Sequence, residues 1–259
     1  MSRTWNSYDF RNALEEFDLN NFENIFIHSN LSYLGKPQYG LASEIVLDNL
    51  EKSLPQNSNL LLPAFTYSFG RGSVFDPKST ENLSEMGALS SLAFKRGYHR
   101  SIDPMFSILG LGANVKNLLS LGERSSFGEA STFGKLLSSK TALLLICVGG
   151  GSTLLHEIER IEGVSYRFEK KFQGHTVNSY GELTPLDWRS YVRDYDSEVD
   201  STPSFEKLTS YLVSSNTLKI AKLGRGYLGF IDVELLKRDV IDLLSLNPHA
   251  LIKGSGGKL

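Results

Sequence analysis

The segment TALLLICVGGGSTLLHEIER, residues 141–160, carries the strongest indication of the fold in this chain. Its apolar run over residues 142–148 predicts a buried strand, and the three glycines that follow end that strand. We expect a helix to begin directly afterwards, at Ser152 or Thr153. A strand, a glycine turn and a helix in this order are typical of an α/β protein.

The same alternation of strands and helices extends to both ends of the chain. Ala42, Ile45, Val46 and Leu50 recur at spacings of three and four, which places them on one helix face. Strands are predicted over residues 25–27, 59–62, 142–148 and 218–223, and helices over residues 8–17, 42–50, 87–96, 113–120, 204–214 and 232–246. We therefore expect an α/β fold with a mixed, mostly central sheet flanked by helices.

Two regions interrupt this alternation. Residues 64–108 carry many Ser, Gly and Pro residues, and residues 168–195 are polar with no clear period. We interpret the second region as short strands or a loop-rich insertion beside the functional site. The stretch GRGYLG, residues 224–229, predicts a turn before a helix capped by Asp232. Residues 1–253 are expected to form one domain, and residues 254–259 to be a linker or tag remnant.

Composition excludes several classes of protein. The net charge of −2 argues against a nucleic-acid binder, which normally shows a basic excess. The single cysteine, Cys147, excludes an internal disulfide and a multi-thiolate metal site, and no zinc-ligand spacing is present. The beginning of the chain lacks the pattern of a signal peptide, and no apolar run is long enough to cross a bilayer. We therefore expect a cytoplasmic protein that uses neither a metal nor a membrane.

The best candidate for chemistry is the pair His156 and Glu159. They stand three residues apart on the predicted helix and so share a face, with Thr153 one turn before them. A carboxylate beside an imidazole fixes its tautomer and stabilises the imidazolium that forms when it accepts a proton. The pair therefore has the composition of a general base and its partner.

Seven motifs occur in one order along the chain and resemble a known family. They are HSNLSYLG (28–35), LPAFT (62–66), FDP (75–77), MGAL (86–89), RSIDPMFS (100–107), STFGKL (131–136) and TLLHEIE (153–159). In this order and spacing they resemble the aminoglycoside 3-N-acetyltransferase family. The likeness covers about residues 20 to 170.

The resemblance implies a reaction and a set of site residues. Acetyl-CoA would donate an acetyl group directly to an amine, with His156 as the base and Glu159 as its partner. The residues implied on the CoA side are His28, Ser29, Leu31, Ser32, Arg100, Ser101 and Ser107. On the substrate side we expect Thr66, Asp76, Asp103, Tyr166 and Arg167. A homodimer is compatible with this interpretation.

The chain departs from the family pattern at three places. Asp103 stands where the family has a histidine before proline, residues 36–40 lack the glycine-rich stretch of the resistance enzymes, and residues 171–197 do not resemble those enzymes. The last two departures favour a smaller amine than an antibiotic, such as a nucleotide-linked amino sugar used in surface polysaccharide synthesis.

Two acceptors therefore remain open at this point. Arg189, Arg193, Lys171 and Trp188 could serve a sugar nucleotide, because a diphosphate needs cations and a base needs an aromatic surface. An aminoglycoside carries several ammonium groups and needs acidic residues, for which Asp76, Asp103 and Glu129 are available. The sequence slightly favours the sugar nucleotide. Two alternatives of another kind are a non-catalytic CoA-binding domain and a hydrolase of CoA thioesters.

Overall fold

The computed structural model describes residues 4–79 and 83–254 and contains one large sheet. Its strands are β1 (Asn24–Ser29), β2 (Asn59–Pro63), β3 (His99–Arg100), β4 (Ile108–Gly112), β5 (Thr141–Ile146), β8 (Lys219–Leu223) and β9 (Gly226–Asp232), and the order across the sheet is β3-β4-β2-β1-β5-β9-β8. The three central strands β2, β1 and β5 are parallel, while the outer strands pair antiparallel. The sheet is therefore mixed, as the sequence predicts.

Helices cover both faces of this sheet. They are α1 (Ser7–Glu15), α2 (Ala42–Ser53), α3 (Ala88–Lys95), α4 (Val115–Leu119), α5 (Thr132–Ser138), α6 (Leu154–Ile161), α7 (Glu206–Ser214) and α8 (Val233–Leu246). Successive side chains of a strand point to opposite faces. Accordingly Ile25 and Ile27 belong to the core beneath α1 and α2, whereas Phe26 belongs to the core that contains residues of α5, α6 and α8. This two-sided burial explains why the central strands read as continuous apolar runs.

The parallel arrangement positions the functional site. Because β1, β2 and β5 run in the same direction, their carboxyl ends meet at one edge of the sheet, where α/β proteins commonly bind ligands. His28 and Ser29 lie at the end of β1, and Pro63 ends β2. Strand β5 ends at Ile146, and the three glycines lead from that edge into α6.

Several elements differ from the sequence prediction. Strand β5 ends two residues early because Cys147 adopts a left-handed backbone (φ 54°) that turns the chain. The stretch predicted as a turn before the last helix contains a turn at Gly224, but Gly226 already begins β9. Strands β3 and β4 and helix α5 were not predicted from sequence. Strand β4 contains two glycines in five residues, and α5 has only seven residues, so neither offers a clear apolar period.

The polar region after α6 is a long hairpin instead of short strands. Strands β6 (Arg167–Val177) and β7 (Leu183–Arg193) pair along eleven residues each and form a separate two-stranded sheet. A small cluster that includes Phe69, Phe75 and Trp188 anchors this hairpin to the body of the protein. Most of β6 faces solvent, which is why its sequence lacks the apolar alternation of a half-buried strand.

No helix within the described residues is both long and apolar enough to cross a bilayer. Within the same ranges, no group of three or more His, Cys, Asp or Glu residues is arranged to hold a metal ion. Of the predicted C-terminal linker, only Gly254 lies within the described residues.

Candidate active site

Helix α6 carries the predicted catalytic pair at the carboxyl edge of the sheet. Its apolar side buries Leu154, Leu155 and Ile158 against the core. His156 retains 18% side-chain exposure, whereas Glu159 is almost fully buried. The helix thus fixes the carboxylate in the interior and leaves the imidazole at the boundary with solvent.

The two side chains are in direct contact. His156 Nδ1 lies 2.7 Å from Glu159 Oε2, and the Tyr166 hydroxyl donates to Glu159 Oε1 at 2.9 Å. Arg167 Nε lies 2.7 Å from Glu159 Oε2 and forms an ion pair with it. The angle at the N–H group does not meet that of a hydrogen bond, so the contact is ionic. When Nδ1 carries the proton and donates to Glu159, Nε2 is the acceptor nitrogen of the ring, and Arg167 Nη2 lies 3.5 Å from it. The geometry is that of a general base with a fixed tautomer.

The electrostatics keep the imidazole neutral. Burial lowers the pKa of His156 below its usual 6.5, the nearby charges of Arg167 and Arg193 lower it further, and Glu159 opposes them in part. Burial acts to raise the pKa of Glu159, but the contacts with His156, Arg167 and Tyr166 outweigh that effect and lower it. At neutral pH the pair therefore consists of a neutral imidazole and an ionised carboxylate, which is the state a base needs.

Glu157, on the same helix, holds the neighbouring loop. Its carboxylate accepts from Gly128 N at 2.8 Å and is held by Arg160, whose Nη2 lies 2.7 Å from Oε1. The side chain is buried, and its contacts rigidify the loop that supplies Phe127, whose ring lies 6.1 Å from that of His156. The sequence pairs Glu159 with His156 but does not assign this role to Glu157.

His156 lies between two cavities and lines both of them. The first, which we call the glycine-side cavity, has a volume of about 360 Å³. It is lined by His28, Ser29, Pro63, Phe65, Tyr67, Met86, Val148, Gly151, Ser152, Thr153, His156 and Phe205. The second, the hairpin-side cavity, has a volume of about 730 Å³. Its lining includes Tyr67, Arg71, Phe106, His156, Arg167, Phe168, Lys170, Phe172, Arg193, Asp194, Tyr195 and Asp196.

Two of the residues predicted on the CoA side lie at the glycine-side cavity. His28 Nε2 is 3.2 Å from the Ser152 hydroxyl, and burial lowers the pKa of His28 to about 4, so its ring is neutral. Ser29 lies beside it. Leu31 and Ser32 lie in the short 3₁₀ helix that follows, where the Ser32 hydroxyl donates to Asn30 Oδ1 at 2.6 Å. These last two residues do not line the glycine-side cavity.

Arg100, Ser101 and Ser107 form a buried network away from both cavities. The Arg100 guanidinium donates to the Ser107 hydroxyl, the Thr66 hydroxyl and the carbonyl of Ala64, at 2.7–3.1 Å. The Ser101 hydroxyl accepts from Ile108 N at 2.9 Å. Because these groups are committed to each other and to the backbone, the structure does not bring them to His156. They fix the loop after β2, which carries Phe65 and Tyr67 to the cavities.

Of the predicted substrate residues, only Tyr166 and Arg167 contact the pair of His156 and Glu159. Asp103 is buried and accepts from the backbone of Met105 and Phe106 at 2.8 Å each. Burial raises the pKa of Asp103 to about 6, although these hydrogen bonds act to lower it. Asp76 accepts from the backbone N of Lys78 at 2.8 Å, and neither aspartate lines a cavity at His156. Thr66 belongs to the Arg100 network.

Comparisons with known proteins decide the family. A family model described as aminoglycoside 3-N-acetyltransferase matches residues 26–244. The chain belongs to the aminoglycoside 3-N-acetyltransferase family. It is accordingly an N-acetyltransferase that uses acetyl-CoA as its co-substrate. A search of curated protein sequences gives no match.

Solved structures share the fold of this acetyltransferase at low sequence identity. Aminoglycoside acetyltransferase AAC(3)-Xa is 18% identical with a TM-score of 0.78, and the match covers 96% of this chain and 94% of that one. AAC-IIIb, solved as a binary complex with CoASH, is 15% identical with a TM-score of 0.76 over 96% and 98% of the two chains. A mutant of AAC(3)-IVa in complex with apramycin is 17% identical with a TM-score of 0.74 over 96% of each chain.

Several residues that line the two cavities of the acetyltransferase are not predicted from its sequence. Tyr67 lines both cavities, while Arg71 and Lys170 line only the hairpin-side cavity. Arg71 and Lys170 stand in segments without a recognisable period, and the fold alone brings them to the cavity that His156 lines. Of the residues proposed from sequence for a sugar nucleotide, only Arg193 lines this cavity. Lys171 and Arg189 pair with carboxylates along the hairpin, and Trp188 is buried.

Proposed function

We propose that this acetyltransferase transfers the acetyl group of acetyl-CoA to the amino group of an amino sugar, with His156 as the base. The observation that carries the proposal is that the His156 ring lines both cavities while its Nδ1 contacts a buried carboxylate. A donor in one cavity and an acceptor in the other would meet at Nε2. Direct transfer then needs no covalent intermediate on the protein.

In the proposed step the acetyl group moves from the sulfur of CoA to the nitrogen of the acceptor. The neutral acceptor amine attacks the carbonyl carbon of the acetyl thioester, forming the new C–N bond, and His156 Nε2 takes the proton that the nitrogen loses. The C–S bond breaks, and the CoA thiolate that leaves takes a proton from the imidazolium. Glu159 stabilises the imidazolium during the interval between the two transfers. The products are an acetamido sugar and CoA.

The glycine-side cavity has the character that the pantetheine arm of CoA requires. That arm is an extended amide chain, and the cavity combines apolar surfaces of Phe65 and Met86 with hydroxyl groups of Ser29 and Thr153. The roles of Arg100, Ser101 and Ser107 in binding CoA stay predictions, as does a homodimer. The proposal includes a cytoplasmic location, because acetyl-CoA is made and used inside the cell.

Two acceptors are candidates within this proposal. Family membership and the apramycin complex of a structural neighbour support an aminoglycoside. In the hairpin-side cavity, Asp194 and Asp196 would face its ammonium groups. A nucleotide-linked amino sugar is supported by Arg71, Lys170 and Arg193 in the same cavity, whose cations suit a diphosphate.

A thiol-release assay tests the proposal. Acetyl-CoA is supplied with kanamycin, glucosamine, glucosamine 6-phosphate or UDP-glucosamine, and mass spectrometry identifies the acetylated product. We expect amine-dependent release of CoA that falls about 10²–10⁴-fold in His156→Ala with little change in the binding of CoA. Release that is equally fast without any amine would instead establish a thioester hydrolase. Wild-type rates in His156→Ala would refute the role of the imidazole.

A further inference from the structure

Three cations in the hairpin-side cavity have no carboxylate partner within the part of the chain that the structure describes. Among the described residues, no Asp or Glu side chain lies within ion-pair distance of Arg71, Lys170 or Arg193. Arg167, the fourth cation of the cavity, is committed to Glu159. Elsewhere on the hairpin Lys171 and Arg189 do find carboxylates, at 2.7 Å and 3.3 Å. Three of the four cations that line the cavity are thus without such a partner among the described residues.

The carboxylates of the cavity offset only part of the charge of these cations. Asp194 and Asp196 also line it, but the Asp194 carboxylate accepts from Asp196 N at 3.0 Å and forms a local turn. The cavity therefore contains three cations without carboxylate partners among the described residues and two carboxylates. The charge of Arg193 reaches the base itself, because it contributes to lowering the pKa of His156. A ligand with several ammonium groups would meet like charge next to the reacting nitrogen.

Aromatic surfaces hold the cations in place. The Arg193 guanidinium lies 4.8 Å from the centre of the Tyr195 ring, and Lys170 Nζ lies 5.4 Å from that of Phe172. Arg193 Nη2 also donates to the Tyr195 hydroxyl at 2.9 Å. The remaining N–H groups of the guanidinium can match the oxygens of a phosphate. The adjacent ring of Phe168 is 46% exposed and offers a further flat surface.

We propose that the hairpin-side cavity binds a phosphate group of the acceptor through Arg193, with Lys170 and Arg71 as further cations on the same lining. The acceptor is then a phosphorylated amino sugar, either a sugar phosphate or a nucleotide-linked sugar. This inference rests on the proposed function, because the same cavity must deliver the amine to His156. Its volume of about 730 Å³ lies within the range of about 300–1,000 Å³ common for small-ligand sites.

Calorimetry tests this binding apart from catalysis. The full-length His156→Ala protein is saturated with CoA and titrated at fixed ionic strength with glucosamine, glucosamine 6-phosphate, UDP-glucosamine and kanamycin. We expect the phosphorylated amines to bind at least about tenfold more tightly than glucosamine, since each charge-assisted hydrogen bond adds about that factor. Tighter binding of UDP-glucosamine than of glucosamine 6-phosphate identifies the nucleotide-linked source, and the reverse order identifies the sugar phosphate.

Charge reversal assigns the preference to these residues. Arg193→Glu should abolish the preference for phosphate, and the exposed Lys170→Glu should reduce it about tenfold. Lys116→Glu, which makes the same charge change on the exposed surface of α4, should leave it unchanged, and Asp196→Asn should increase it. Circular dichroism verifies that each variant is folded.

The results that overturn the inference differ from those that overturn the proposed function. Equal binding of glucosamine and its phosphate, tighter binding of kanamycin, or no binding of any sugar would overturn the phosphate site. The role of His156 would survive all three results if the wild-type protein acetylates an amine and His156→Ala does not. Conversely, phosphate-selective binding without any amine-dependent turnover would support the phosphate site but refute the proposed acetyl transfer.

Discussion

The contact between His156 and Glu159 predicts the behaviour of Glu159→Gln. The wild-type carboxylate is about 1% exposed and lies 2.7 Å from Nδ1, so its hydrogen bond to the imidazole is charge-assisted and shielded from water. Such a bond contributes about 1.5–3 kcal/mol. A glutamine keeps the shape but removes the charge, and its amide no longer selects the tautomer in which Nε2 accepts a proton. At about 1.4 kcal/mol per factor of ten, kcat should fall about 10- to 150-fold.

The same substitution should lower stability for a separate reason. Arg167, also buried, loses its ion-pair partner, and breaking a buried pair costs about 3–5 kcal/mol. For a chain of this size each kcal/mol corresponds to about 2–4 °C in Tm, so Tm should fall by roughly 10 °C. Replacing both partners, as in Glu159→Gln/Arg167→Met, removes the uncompensated charge. The double variant should regain most of the lost Tm and none of the lost activity.

Steady-state thiol release and thermal denaturation measure the two effects. Glu159 raises the pKa of His156, so its loss should also move the acidic limb of the kcat/KM profile to lower pH. A Glu159→Gln variant with wild-type kcat and an unmoved acidic limb would refute the proposed brace. A double variant that recovers activity together with Tm would show that the single variant fails only through misfolding.

Three further predictions concern residues in or near the site. Arg167→Met removes a charge that lowers the pKa of His156, so the acidic limb of kcat/KM should move to higher pH, and a limb that stays in place would contradict this. Burial lowers the pKa of His28 from 6.5 to about 4, so the stability contributed by its neutral form is complete above pH 6.5 and is lost as the pH falls towards 4. At pH 5 chemical denaturation should show that this residue has cost about 2 kcal/mol of the free energy of unfolding. The free energy of unfolding of His28→Gln should fall less between pH 7 and pH 5. Gly134→Ala should lower the free energy of unfolding by about 1–3 kcal/mol, because the added Cβ would lie 2.1 Å from the Gly128 carbonyl oxygen, and an unchanged Tm would show that the loop yields.

The fold was predictable where burial imposes a period. Strands β1 and β5 are buried on both faces and appear as apolar runs, and α8 shows the spacing of a helix packed on one side. Strand β9 follows a glycine turn, and the glycines of that stretch predicted only a turn. Helix α5 is too short to show an apolar period, and the sequence did not predict it. Strand β6 of the hairpin is mostly exposed, so its sequence shows little of the apolar alternation that predicts a strand.

At the site, the pairing of His156 with Glu159 follows from the sequence alone. His156 and Glu159 stand three residues apart on one helix, and local geometry alone brings residues at that spacing together. Which side chains surround the pair depends on tertiary packing. It commits Arg100 to a buried network and brings Arg71, Lys170 and Arg193 from distant segments to one cavity. Contacts between residues far apart in sequence depend on how sheet, helices and hairpin pack, and no local spacing encodes that arrangement.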